Sequence, residues 1–388
     1  VLADFSLLEL ILYATVWGAI GGLPAFYLFF AIGRNPRTGA RVGVVCGAIV
    51  GLGGALVNAI TSAETMLNAA LLMWLAMLLL WLGISITHIG FGHHLQRVSF
   101  RQRLADLAYG LLLPTFVVVI AIVVFPMIWN FVLAFRPVRL RDLPTLRVFA
   151  LDDLTLDNFS RMLSTRGFLD TLLRTLVYTI SGTVLAITLG LIAALIVRDH
   201  FRGRNIVRGF MLFPYVAPIV SVVFVWQFML NAQYGLINNT IGIKGLDYLT
   251  APGTAFLMIV LFQAWRYFPF AFLFILARIQ AIPQELYEAA RVDGALPSQR
   301  LRFITLPQLQ AVFATLFLLR FIWTFNKFDD VYLLTGGTSN TQVITIEIFD
   351  QLFSRSNVGT ASAVAVIMAL VLFVAVGVYF RLLATEEN

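Results

Sequence analysis

Two groups of side chains carry chemistry in a chain otherwise dominated by aliphatic and aromatic residues. The first is Gln263, Trp265, Arg266 and Tyr267; the second is Arg320, Trp323, Thr324, Asn326 and Lys327. Each sets planar hydrogen-bonding groups beside aromatic faces within or next to a long apolar run. That combination suits a hydroxyl-rich solute, with amides and hydroxyls meeting its oxygens and rings covering its carbon face. A charge inside an apolar run is costly unless it faces a cavity or a partner, which singles out Arg266 and Arg320. Plainer readings stand beside this one. Trp265 and Tyr267 also suit simple packing, Arg266 a snorkelling or salt-bridged position, and Lys327 a pairing with Asp329 or Asp330. A neutral oligosaccharide would use Trp323 and Asn326, whereas an anionic polyol would use Arg266 or Lys327.

Other chemistry is missing from the pattern. There is no Walker A motif, and neither of the two lysines has a following Ser or Thr, so the chain is not expected to bind or hydrolyse ATP. HExxH is absent, and His88, His93 and His94 lie in an Arg-rich stretch that reads as an interfacial loop rather than a metal site. The single cysteine, Cys46, excludes an intramolecular disulfide and reads as a small packing residue. No catalytic set, metal or cofactor is therefore expected on this chain.

The elements that must position the two groups are membrane spans. Of the 388 residues 60% are hydrophobic and only 12% charged, more apolar surface than one soluble core can bury. Mean hydropathy is +0.89, and the apolar residues fall in long, evenly spaced runs. Nine spans are expected, at about 7–32, 42–60, 66–87, 107–135, 169–197, 209–231, 254–277, 309–330 and 358–380. Each supplies the roughly 20 helical residues that a hydrocarbon core about 30 Å thick requires, which sets aside a β-barrel. The chain opens on Val1, and the run Leu7 to Ile32 is too long for a signal-peptide core, so it counts as a span. Pro24, Pro114, Pro126, Pro214, Pro218 and Pro269 are read as kinks.

Arginine placement orients the bundle. Segments 33–41, 88–106, 198–208, 278–308 and 381–388 share one side and hold 15 basic against seven acidic residues. The positive-inside rule makes that side cytoplasmic, with the N-terminus outside and the C-terminus inside. Loop 136–168, with mixed charge, is long enough for a small external cap, although an ordinary solvated loop is the simpler reading. A change of texture near residue 105 divides the chain into 1–104, three accessory spans with a basic linker, and 105–388, a core of six spans. Glu64 and Asn68 in the first part read as interfacial.

The cytoplasmic stretch 282–307, IPQELYEAARVDGALPSQRLRFITLP, is the most informative. Pro283 can open a helix, with Glu285 and Glu288 favouring its positive end. Gly294 can end it, and Pro297 can start a second short helix carrying Arg300 and Arg302. By physics alone this is an exposed helix–turn–helix, either a docking element or an unpartnered connector.

The same stretch resembles the coupling loop of binding-protein-dependent ABC importers of the maltose-permease-like carbohydrate group. It has Glu288-Ala289-Ala290, then Gly294, then Ile304-Thr305-Leu306-Pro307 at the family's spacing, with Asp293 before the glycine as in that group. Leu156-Asp157-Asn158-Phe159 and the stretch 325–337, FNKFDDVYLLTGG, are similar to further family segments, and the likeness covers roughly residues 105–383. The resemblance implies an all-α permease with a core of six spans in a bacterial or archaeal inner membrane. It implies that Glu288, Ala289, Ala290, Asp293 and Gly294 dock on a cytoplasmic ATPase subunit. It also places the region of Trp323, Thr324 and Asn326 along the solute cavity, making them the preferred contacts; the residue chemistry above adds Gln263, Arg266 and Tyr267 as further candidates. Implied partners are a second, nonidentical permease, two ATPase copies that hold ATP and magnesium, and an external solute-binding protein delivering a sugar or polyol. Two rival readings are a gradient-driven carrier, which would need coupling residues of its own where the sequence places no acidic residue deep in the last six spans, and a structural membrane subunit without a solute site.

Overall fold

Proline and glycine positions decide where the helices start, bend and meet. The computed structural model describes residue 115 and residues 118–146, 153–241 and 245–386. The expected spans at 7–32, 42–60 and 66–87, the boundary near 105, and Cys46, Glu64, Asn68, His88, His93 and His94 lie outside the described residues. Among the described residues the architecture is helical, with no strand and one isolated bridge between Arg139 and Asn357. Four helices are long and apolar enough to cross a membrane: Phe168–Ile196, Pro252–Gln280, Pro297–Phe325 and Val358–Arg381. The chain divides into two compact units, one reaching Phe159 and including Ser356–Ala363, the other comprising Ser160–Arg355 and Val364 onward.

In the first unit, helix α1 (Phe125–Ala134) follows a π-helical turn at Ile120–Val124. Pro126 lacks the N–H that a regular turn would use, which accounts for the widened turn before it. The Asn158 side chain, 2% exposed, stands at the start of α2 (Asp157–Ser164). Its Nδ2 donates to the carbonyls of Ala134 at 3.0 Å and Arg136 at 2.8 Å, oxygens that the end of α1 leaves without helical partners. Thr360 Oγ1 donates to Asn158 Oδ1 at 3.4 Å, so a single amide joins three chain segments.

The second unit is built around α3 (Phe168–Ile196) and α7 (Pro252–Gln280). At 1.5 Å per residue, each 29-residue helix is about 43 Å long, enough to cross with some tilt. The face of α3 turned inward is small and polar: Thr171, Thr175, Thr179, Gly182, Thr183, Ala186, Gly190 and Ala193 are buried. Lipid tails are as apolar as leucine, so apolar burial alone does not hold such helices together; close approach does. A Cβ on Gly190 would sit 2.7 Å from Ala271 Cβ and 2.8 Å from the Phe272 nitrogen, so only glycine permits this approach. The threonine hydroxyls turn back onto their own helix, Thr175 to Thr171 and Thr179 to Thr175, both at 2.7 Å.

The expected span 209–231 is not continuous. It comprises α4 (Arg204–Val216) and α5 (Ile219–Met229), bent by 96° at Ala217-Pro218. Pro218 forces Ala217 into an extended conformation with ψ 141°, ending the first helix. Beyond α6 (Leu236–Ile241) and α7 come α8 (Gln284–Val292), α9 (Pro297–Arg300) and a π-helical turn at Leu301–Thr305 that runs into α10 (Leu306–Phe325). Pro307 explains that turn as Pro126 explains the earlier one.

The expected span 309–330 also stops early. Helix α10 ends at Phe325, and a separate helix α11 (Asp329–Thr335) follows and packs against α5 and α7. Helix α12 (Ile344–Phe349) and α13 (Val358–Glu386) complete the chain.

Candidate functional site

Two sites emerge, one on the surface and one buried. The surface site is the α8–α9 hairpin. Pro283 stands as the N-cap with ψ 131°, and Glu285 lies in the first turn, where its charge favours the helix N-terminus. The far end is closed by a Schellman motif. Gly294, at φ +75°, donates its N–H to the Arg291 carbonyl at 3.1 Å, and the Ala295 N–H reaches the Ala290 carbonyl at 2.8 Å. Pro297 then opens α9, while Gln299 Oε1 accepts from the Leu296 N–H at 2.7 Å.

Four of the five residues expected to dock a partner, Glu288, Ala289, Asp293 and Gly294, are exposed, and Ala290 is half-buried. Glu288 and Arg291 form a solvent-facing pair at 3.8 Å. The anchor of the hairpin was not anticipated from sequence. Tyr287 is 5% exposed, its hydroxyl shares a 2.9 Å hydrogen bond with Thr305 Oγ1, and the Arg198 guanidinium lies 4.8 Å from its ring centre. Its i−1 position to the acidic, alanine-rich surface was the available signal. The hairpin is therefore tied to Thr305, the residue at the start of α10.

The buried site joins residues from three helices. Gln263 on α7 donates from Nε2 to Thr324 Oγ1 on α10 at 2.8 Å, and Arg320 Nη2 donates to the same oxygen at 3.1 Å. The Tyr267 hydroxyl donates to Asp330 Oδ1 on α11 at 3.2 Å. Three cations lie over the Tyr267 ring, Arg320 at 4.3 Å, Lys327 at 5.1 Å and Arg266 at 5.8 Å, and Lys327 Nζ pairs with Asp329 at 2.9 Å. Gln263 Oε1, Arg320 Nε, Asp330 Oδ2 and the Tyr178 hydroxyl are buried without a hydrogen-bond partner among the described residues. Polar atoms left this way inside a bundle are costly, and hydrogen bonds from water or a bound polar molecule would relieve that cost.

The remaining expected contacts point elsewhere. Arg266 stays beside the Tyr267 ring but gives its hydrogen bonds to the broken span: Nη1 donates to the Pro214 carbonyl and Nη2 to the Ala217 carbonyl, each at 3.1 Å. These are oxygens exposed by the bend, and a guanidinium fork can reach both. Trp323 is 46% exposed and packs edge-on against Phe270, with centroids 5.2 Å apart. Asn326 is exposed and donates to the Ile322 carbonyl at 2.8 Å. Gln263, Tyr267 and Thr324 are thus brought together, while Arg266, Trp323 and Asn326 are not part of the hydrogen-bonded cluster. Asp330, expected near a span end, is instead 1% exposed against the sixteenth residue of α7. The break at Asn326–Phe328 carries it back toward the bundle.

The long apolar helices, the capped surface hairpin and the buried polar cluster define a helical membrane protein, and comparison with known proteins places it. The chain belongs to the family of binding-protein-dependent transport system inner membrane components, whose model matches residues 186–385. It is similar to the inner membrane ABC transporter permease protein YcjO of Escherichia coli, 35% identical over 278 residues that cover 69% of this chain and 92% of that protein. It is also similar to the trehalose/maltose transport system permease protein MalF of Thermococcus litoralis, 32% identical over 69% of this chain and 90% of that one. Its fold matches a chain of a bacterial ABC transporter involved in the import of the acidic polysaccharide alginate. The TM-score is 0.63 at 24% identity, covering 71% of this chain and 94% of that one. The protein is a membrane permease of an ABC importer.

Proposed function

We propose that this chain carries a sugar, oligosaccharide or polyol across the cytoplasmic membrane as one of two nonidentical permeases. In this reading an external binding protein delivers the solute, and two copies of a cytoplasmic ATPase, holding ATP and magnesium, drive the cycle. The chain itself binds no nucleotide or cofactor and performs no bond chemistry. Its basic segments, α8 and the C-terminus face the cytoplasm, and the N-terminus lies outside.

The observation that carries this reading is the rigidly capped α8–α9 hairpin, tied by Tyr287 to the start of α10. A partner gripping Glu288, Ala289, Ala290, Asp293 and Gly294 can push the span that bears Arg320 and Thr324. Closure of the ATPase pair moves α8, α10 shifts against α7, and the Gln263–Thr324 and Tyr267–Asp330 contacts change register. Solute affinity then differs between the two states, as transport requires. The sugar class is supported by the trehalose/maltose relative and by the mixture of amide, hydroxyl and aromatic groups around Tyr267.

The test is ATPase activity of the assembled complex in nanodiscs with its binding protein and a panel of sugars. Stimulation by one sugar class, lost in a Glu288→Ala, Gly294→Pro variant that still assembles, is the expected result. Solute uptake without any ATPase partner would replace this reading with a gradient-driven carrier.

A further inference from the structure

Beside the hairpin, at the junction of α3, α4, α7 and α8, lies a cavity of about 610 Å³ lined by Arg198, Arg204, Arg208 and His200, with Tyr287 at its edge. The single lining carboxylate, Asp199, is paired with Arg198 at 3.4 Å. Among the described residues neither Arg204 nor Arg208 has a carboxylate partner. Both instead converge on neutral acceptors. Arg204 Nε donates to the Val197 carbonyl at 2.9 Å, and Arg208 Nη2 reaches the same oxygen at 3.4 Å. With its amide oxygen turned toward them, Gln280 accepts from Arg208 Nη2 at 2.7 Å and Arg204 Nη2 at 2.8 Å. Arg208, itself half-buried, leaves Nε without a hydrogen-bond partner among the described residues.

Guanidinium groups held this close repel one another, and their planar forks match the oxygens of a phosphate. The cavity also lies at the end of a span, where a basic pocket meets lipid headgroups. We infer that this cavity binds a phosphate group, belonging either to an anionic lipid headgroup or to a soluble phosphate ester. One such group per copy of this chain would neutralise Arg204 and Arg208 and brace α8 through Tyr287 and through Gln284, which also lines the cavity. The effect on coupling rests on the role proposed for α8, whereas binding itself does not.

Binding is measured on the delipidated importer complex in a phosphate-free detergent. Phosphatidylglycerol is titrated by native mass spectrometry, and inorganic pyrophosphate by equilibrium dialysis. One bound probe per chain is expected, weakened about tenfold or more by Arg204→Gln together with Arg208→Gln. Asp199→Asn, which frees Arg198, should tighten binding about threefold and decides the matter if the double variant does not assemble. Retention of the lipid alone assigns a headgroup, and of pyrophosphate alone a soluble ester. Absence of both from the parent, or affinity unchanged by these substitutions, overturns the inference. Because binding is read without nucleotide or sugar, its failure is distinct from failure of the transport reading.

Discussion

Replacing Gly294 by alanine adds a Cβ to a residue held at φ +75°, where nothing nearby blocks the new atom. The cost is therefore backbone strain alone, about 1–2 kcal/mol for a left-handed non-glycine residue. The hairpin relieves that strain by rotating Gly294 out of the Schellman geometry, which loses the bonds to Arg291 and Ala290 and swings α9 away from its present direction. An energy of this size corresponds to a roughly 5–30-fold shift between the native hairpin and altered ones. Sugar-stimulated ATPase activity and uptake into proteoliposomes should fall together by a factor in that range, while assembly and basal ATPase activity persist. Glu288→Ala is the control for charge. Its pair with Arg291 is 3.8 Å long with both side chains more than half exposed, and such surface pairs contribute about 0–1 kcal/mol. If Gly294→Ala couples as well as the parent, hairpin geometry does not transmit the stroke and the mechanical argument is wrong.

Tyr287→Phe keeps the ring against Arg198 but removes the bond to Thr305; it should cost about 1 kcal/mol and lower coupling several-fold, read as the ratio of transport to ATP hydrolysed. Asn158→Ala removes the amide donor from the Ala134 carbonyl and one of two donors from that of Arg136, which keeps the Val138 N–H, and should lower stability by about 1–3 kcal/mol, visible as earlier thermal unfolding in detergent. Arg266→Met leaves the Pro214 and Ala217 carbonyls unpaired, so unfolding on heating should begin earlier, and Arg266→Lys should rescue only part because one ammonium does not reproduce the fork. Tyr267→Phe frees Asp330 from its hydroxyl donor and should change the sugar concentration for half-maximal stimulation while leaving the thermal transition nearly in place.

Local features were readable from the residues alone. Spans show because twenty-odd consecutive apolar side chains have no other use, and α8 shows because Pro283 and Gly294 act within a few residues of where they stand. The prolines at 214 and 218 marked a kink but not its size, since the 96° bend is held by Arg266 about fifty residues further on. Tyr287 looked like one more aromatic residue on a short helix until Thr305 and Arg198 met it. The two acidic residues at 329 and 330 looked peripheral because hydropathy places a charged pair at the end of a run. The pairing of Lys327 with Asp329 was legible as a local contact, but only the return of the chain at α11 buries Asp330 against Tyr267. Sequence determined that the chain carries long apolar helices, because transfer into lipid is a sum over neighbouring residues. Tertiary structure decided which polar groups meet there, because hydrogen bonds among Gln263, Thr324, Tyr267 and Asp330 join residues some sixty positions apart and exist only once the helices pack.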